Sequence, residues 1–223
     1  MSNEVIFFLE IVIVFSLVLT AHKLFGKLGL LTWIAIAVVI ADIEVLKNVN
    51  IFGMDTTLGS VIFGSIFLAT DILTECYGLK EAKRGVYLAI FCSIIFALCS
   101  QITLLYSKNI IDFADEPLRQ ILSINLRVLC ASLLMFFIAN MADVFLYERL
   151  RIITCGKKIW LRNNLSTIIC NCAENFLLMI LGFYGMFTFA QCIEIAITSS
   201  IIEIIVGICD TPFLYLALRK RNR

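Results

Sequence analysis

The chain has 223 residues, of which 61% are hydrophobic and 16% charged, with two prolines. A soluble domain is usually roughly 45–50% apolar and about 25% charged, so this excess cannot be hidden in a core of that size, which argues against a soluble enzyme, a nucleic-acid binder or a disordered regulator. The net charge of +1 implies no polybasic or acidic partner.

A spanning helix takes roughly 20 apolar residues. Seven apolar segments follow one another at about 4–21, 30–46, 57–76, 86–107, 121–146, 164–188 and 194–218. The first is preceded by Glu4 and by no Lys or Arg, the wrong flank for a cleavable signal peptide, so it is expected to stay as a span. The connection at 108–120 carries Asp112, Asp115 and Glu116 beside Pro117 and reads as an external surface loop. Fourteen of the 18 Lys and Arg fall in alternate connections and in the tail. That asymmetry predicts an N-terminus outside and a C-terminus in the cytoplasm, which requires an odd number of crossings. No two glycines have the GxxxG spacing of a close helix pair. The expectation is an all-α polytopic membrane protein of the plasma (inner) membrane. It would have about seven transmembrane helices, in a single integral membrane domain over 1–223.

A charged side chain in hydrocarbon costs at least roughly 2.5–3.5 kcal/mol at mid-membrane, so such residues face partners, water or ligand. Here they form stripes. In the third segment Asp71 and Glu75 share a face with Ser60, Gly64 and Phe67, small residues there allowing close approach of a ligand or a helix. The fifth carries Asn140 and Asp143, and the sixth Asn164, Thr167, Asn171 and Glu174 over three turns. The seventh carries Ser199, Glu203 and Asp210 above Pro212. Arg127 reads as the one cation well within the segments. Asp71, Asp143 and Asp210 have an alternative reading as hydrogen-bonding ties between helices, and Arg127 as a structural counter-ion. All three aspartates fall in the cytoplasmic half of this topology, which leaves an inner-gate role open. An interior with several carboxylates and one cation repels anions. It suits a cation, or a neutral heterocycle whose N–H donors a carboxylate can accept in pairs.

Several chemistries are missing. There is no phosphate loop, no zinc-spaced His/Cys set around the lone His22, and no G-x-S-x-G elbow. The aspartates lack the glycine-flanked setting of an intramembrane protease. Seven of the nine cysteines (Cys76, Cys92, Cys99, Cys130, Cys170, Cys172 and Cys209) lie in or at the ends of apolar runs, as small buried hydrophobes. No enzymatic activity, metal or cofactor is expected.

Specific strings add to this reading. Phe67-Leu-Ala-Thr-Asp-Ile-Leu-Thr-Glu-Cys-Tyr-Gly78 with the basic turn Lys80–Arg84, Ala142-Asp143-Val144 with Tyr147–Arg151, Arg162-Asn-Asn-Leu-Ser-Thr167 leading to Asn171 and Glu174, and Asp210–Ala217 occur in that order. Together they resemble the queuosine precursor transporter family, also called the vitamin uptake transporter family. The resemblance covers roughly 50–218. It implies a six-helix core over 30–218 with an extra N-terminal helix at 4–21, similar to the substrate-binding subunits of energy-coupling vitamin importers. It also implies import of 7-deazaguanine bases such as preQ0, preQ1 or queuine for salvage into tRNA modification, and a lining of Asp71, Arg127, Asp143, Ser166, Thr167, Asn171 and Glu174. With the stripes, the candidate substrate-binding set is Asp71, Glu75, Arg127, Asn140, Asp143, Ser166, Thr167, Asn171, Glu174 and Asp210. The expected partners are a nucleobase-like small molecule and the lipid bilayer, with no direct nucleic-acid binding. Two alternatives stay open. One is a binding subunit that docks a separate ATPase module or a second copy, for which Ala37-x-x-x-Ala41 offers a small-residue face. The other is a purely structural membrane protein.

Overall fold

The computed structural model describes residues 2–109, 111–123 and 126–219. The elements are α1 (Asn3–Glu44), β1 (Asn48–Ile51), β2 (Met54–Thr57), α2 (Ser60–Tyr77), α3 (Leu79–Leu105), α4 (Asp115–Leu122), α5 (Leu126–Ile153), α6 (Ile159–Leu178), a π-helical turn (Met179–Phe183) and α7 (Phe189–Arg219). Six helices are long and apolar enough to cross a membrane: α1, α2, α3, α5, α6 with its π turn, and α7. The protein is therefore a multi-pass membrane protein. Its two short strands are the one departure from an all-helical fold among the described residues.

The first two apolar segments belong to a single element, α1, which breaks at Gly26 (φ 58°, ψ −133°). Positive φ is open to glycine at little cost. Three residues on, Gly29 lies so close to the arm before the break that a Cβ there would sit 2.2 Å from the Ala21 carbonyl oxygen. The arms fold back on each other. Asn3 at the start of α1 donates to the Asn50 carbonyl at 2.8 Å, and Glu4 accepts from the Phe52 N–H at 3.3 Å, although Asn50 and Phe52 follow the far end of α1. Both ends of α1 thus lie at one end of the bundle. Because the obstacle at Gly29 is backbone, it cannot swing aside. Gly29→Ala is expected to cost about 1–3 kcal/mol, read as an earlier thermal melt in detergent.

β1 and β2 pair antiparallel from Asn48↔Thr57 to Ile51↔Met54. Phe52 and Gly53 both take positive φ in the two-residue turn between them, the conformation that suits a tight hairpin. This hairpin occupies residues expected to be loop, so α2 begins at Ser60 rather than 57. Three helices overrun their apolar segments. α3 starts at Leu79, and α6 at Ile159, with α5 ending at Ile153. The added turns are rich in Lys, Arg, Glu, Ala and Leu. These sustain a helix well, but their charges lower the hydropathy.

α2 is the central helix, buried at nearly every position from Val61 to Thr74. It packs against α1, α3 and α7. A Cβ at Gly64 would come within 2.5 Å of Val206 Cγ1 on α7, so the small residue admits a neighbouring helix there. Trp33 on α1 donates its indole N–H to Ser65 at 2.9 Å. The outer faces of α1 and α3 carry exposed Phe, Leu and Ile, such as Leu17, Phe91 and Leu98. An apolar exterior of this kind is solvated by lipid tails. Ala37 and Ala41 are buried inside the bundle, so the small-residue face suggested as a dock is already covered.

The basic connections meet at one end of the bundle. Lys27 pairs with Glu81 at 3.2 Å, His22 meets the Tyr77 hydroxyl at 3.2 Å, Lys83 lies 3.9 Å over the Phe145 ring, and the Trp160 N–H reaches the Tyr215 hydroxyl at 3.4 Å. At the other end α4 is tied to the end of α3. Arg119 donates to Asp115 at 2.8 Å and to the Leu104 carbonyl at 3.1 Å. The bond from Arg119 holds the Asp115 carboxyl below its ordinary range.

Candidate functional site

Four helices, α2, α5, α6 and α7, bring their polar stripes together inside the bundle. Asp71 of α2, Asp143 and Asn140 of α5, Ser166, Thr167 and Asn171 of α6, and Asp210 of α7 are all buried. Asp71 lies within electrostatic reach of Asp143, Asp210, Glu75 and Arg162. Helical rise puts Asp71 about 9 Å from the basic end of α2. The site therefore occupies the basic half of the bundle.

The carboxylates differ sharply in how they are satisfied. Asp210 accepts from the Asn163 amide, which also reaches Thr211 at 3.2 Å. One oxygen of Asp143 accepts from the Thr167 hydroxyl at 3.4 Å, and its other oxygen has no partner among the described residues. Neither oxygen of Asp71 has one. A fully buried carboxylate with all its acceptor positions unused is costly to hold. Unused side-chain oxygens of Asn140 and Asn171 extend the same surface along α5 and α6. The Asn140 amide is held by its own donation to the Phe136 carbonyl at 3.0 Å.

Toward the basic end this polar cluster is bounded by an ion pair. Arg162 of α6 is 1% exposed and donates to Glu75 of α2, whose side chain is 12% exposed. Tyr147 of α5 donates to the same Glu75 oxygen at 3.1 Å, with its ring 5.5 Å from the Arg162 guanidinium carbon. A second guanidinium nitrogen, Nη1, donates to the Lys157 carbonyl at 3.1 Å. Toward the other end the stripe continues to Glu174 of α6. Beside it Asn175 donates to Glu203 of α7 at 2.8 Å and approaches Ser200 at 3.3 Å.

Nine of the ten sequence candidates lie along this continuous track from Glu75 to Glu174. The tenth, Arg127, does not join them. It is exposed, and its Nε donates at 2.9 Å to the carbonyl of Leu181, within the π turn. Leu181 is 19 residues beyond Arg162 on α6 and its π turn, roughly 28 Å at helical rise. Arg162, counted from sequence among the loop cations, is the one buried cation among the described residues, which corrects the reading of Arg127 as the one cation well within the segments. Arg162, Asn163 and Tyr147 were not singled out as site residues. The signal for the first two is their phase: Arg162 and Asn163 lie four residues before Ser166 and Thr167, on the same face. On α7 the buried serine is Ser200 rather than Ser199. Asn164 turns outward to Thr211 at 2.7 Å and the Trp160 carbonyl at 2.8 Å.

A bundle of apolar-faced helices around an enclosed, acid-rich polar track has the build of a membrane carrier for a small solute. The chain belongs to the vitamin uptake transporter family, whose family model, described as "Putative vitamin uptake transporter", matches residues 57–217. It is thus a transporter by family, not an enzyme. A Bacillus subtilis (strain 168) protein named "Probable queuosine precursor transporter" is 34% identical over 218 residues, covering 97% of this chain and 95% of that one. The Escherichia coli (strain K12) "Queuosine precursor transporter" is 24% identical over 163 residues, 72% of this chain and 71% of its own. A Haemophilus influenzae protein, also named "Probable queuosine precursor transporter", is 26% identical over 135 residues, 60% of this chain and 55% of its own. No solved structure matches the chain.

Proposed function

We propose that the protein imports queuosine precursors, 7-deazaguanine bases such as preQ0, preQ1 or queuine, across the plasma membrane for salvage into tRNA modification. The observation that carries this reading is the pair of unused Asp71 oxygens among the polar groups of four converging helices. A guanine-like edge presents adjacent N–H donors that a carboxylate accepts together. Asp143, Asn140, Asn171 and Glu174 each hold one further buried oxygen without a partner among the described residues, and Ser166 and Thr167 add hydroxyls. The names of the relatives agree with this substrate class. In the topology that goes with it, the two arms of α1 cross separately, making seven crossings with the N-terminus outside and the C-terminus in the cytoplasm. The basic end then faces the cytoplasm, and Arg162, Glu75 and Tyr147 bound the inner side of the polar cluster.

Labelled base should enter cells that lack other importers when this protein is supplied, and Asp143→Ala should abolish that uptake. In purified protein, a ligand that binds only the folded state raises apparent stability. The thermal melt should therefore rise with a 7-deazaguanine and stay put with thymine, which lacks the donor edge. No uptake, with no shift by any deazaguanine, would sink the proposal. Uptake that appears only when a nucleotide-binding partner copurifies would favour the binding-subunit reading instead.

A further inference from the structure

Glu203 lies outside the polar cluster described above, and its surroundings set it apart from the aspartates. It projects from α7 toward α6, where Asn175 donates to it at 2.8 Å. Glu174, one residue earlier on α6, interacts with it electrostatically. Glu174 is only 8% exposed, and its Oε2 has no hydrogen-bond partner among the described residues. None of the ion pairs among the described residues involves either glutamate. Glu203 is thus tied to α6 at the residue next to Glu174, about 18 Å along that helix from Arg162, and no ion pair among the described residues neutralises either acid.

Glu174 is also the one charged residue lining a cavity of about 220 Å³ between α5 and α6, which opens at the outer face of the bundle, where Ile138, Ile169 and Leu177 are exposed. The rest of the wall is apolar, including Met135, Ala139, Ala142, Ala173 and Leu177. That volume is below the roughly 300–1,000 Å³ of pockets for drug-sized ligands, so it suits a small ring system rather than a nucleoside chain. Flat alanine faces and a methionine thioether are good contacts for a planar ring. Cys170, which lines the same cavity, lies one turn of α6 above Thr167, the residue that donates to Asp143.

We propose that Glu174 and Glu203 form a subsite for a protonated amine, with the apolar cavity beside Glu174 taking the ring that carries it. An ammonium supplies a countercharge for the two acids and up to three donors, one of them for the unpartnered Glu174 Oε2. This deepens the import reading and rests on it: the donor edge of the base is read in the polar cluster, and Glu203 selects bases with an amine substituent.

The experiment compares two 7-deazaguanines that differ in that substituent, one with an aminomethyl group and one with a nitrile, titrated into purified wild type, Glu203→Gln, Glu203→Asp and Glu174→Gln. Each charge-assisted bond lost is worth about tenfold or more in affinity. The ratio of affinities should therefore shift at least about tenfold against the amine in Glu203→Gln and Glu174→Gln. Glu203→Asp, which keeps the charge, should retain the wild-type preference. Residual nitrile-base binding reports that a variant is folded. If Glu203→Gln leaves the ratio unchanged, or weakens both bases by one factor, the amine subsite is overturned while the import reading stands. Wild type that binds neither base overturns both.

Discussion

Arg162→Ala should be the most destabilising single substitution in the basic half of the bundle. Arg162 is almost fully buried, and the Glu75 it pairs with is held a second time by Tyr147. Removing one partner of a buried ion pair strands the other charge, at a cost of about 3–5 kcal/mol. Here the truncation also opens a void against the Tyr147 ring. Because α2, α5 and α6 meet at these three side chains, the loss should appear as a lower melting temperature in detergent and as protease cleavage near 153–159, the α5–α6 connection. Arg162→Lys restores the charge but not the fork that reaches both Glu75 and the Lys157 carbonyl, so it should recover only part of the stability. The double variant Glu75→Leu/Arg162→Met removes both charges and should recover more than Arg162→Ala alone. An Arg162→Ala protein that melts with wild type would show that this end is held by something else.

That prediction concerns a residue the sequence concealed, and the reason is physical. A cation just ahead of an apolar run reads as interfacial, because hydropathy trims the charged first turn from a helix. Only the approach of Glu75 from α2 and Tyr147 from α5, 87 and 15 residues away, turns the position into a buried one. Arg127 shows the converse. Set among apolar neighbours it reads as buried, yet it stands near the start of α5 and spends its guanidinium on a backbone carbonyl of the π turn. The apolar segments themselves were legible, since a bilayer demands long apolar helices, and so was the polar face of α6 from Thr167 to Glu174. Its first member was misplaced by one residue. Asn163 and Asn164 lie four and three residues before Thr167, and both spacings fit one helical face. What chooses between them is Asp210 on α7, a contact no local pattern contains. The hairpin at 48–57 was missed because four-residue strands leave too short an alternation to read.

The aspartates give the other large effect, because their surroundings differ while their burial does not. Asp210 is satisfied by Asn163. Asp71 is not satisfied by any described residue, so the empty protein carries its polar cost for no structural return. Replacing Asp71 with Asn keeps the shape of the side chain and removes its capacity to carry a buried charge. The variant should melt higher, by about 2–4 °C for each 1 kcal/mol relieved in a chain of this size, while uptake falls by at least about a hundredfold through loss of a charge-assisted pair of bonds to the base. Asp210→Asn should do the opposite to stability, since an amide oxygen accepts from Asn163 without the charge assistance of a carboxylate, and its NH2 adds a buried donor that the present bonds do not satisfy. If the aspartates were merely ties between helices, both variants would lower the melt and any loss of uptake would track the loss of folded protein. The two melting curves, measured beside uptake corrected for the amount of folded carrier, separate the readings. An Asp71→Asn protein that is less stable than wild type makes Asp71 a structural tie. One that is more stable and inactive marks it as a group kept at a cost in stability for the ligand it receives.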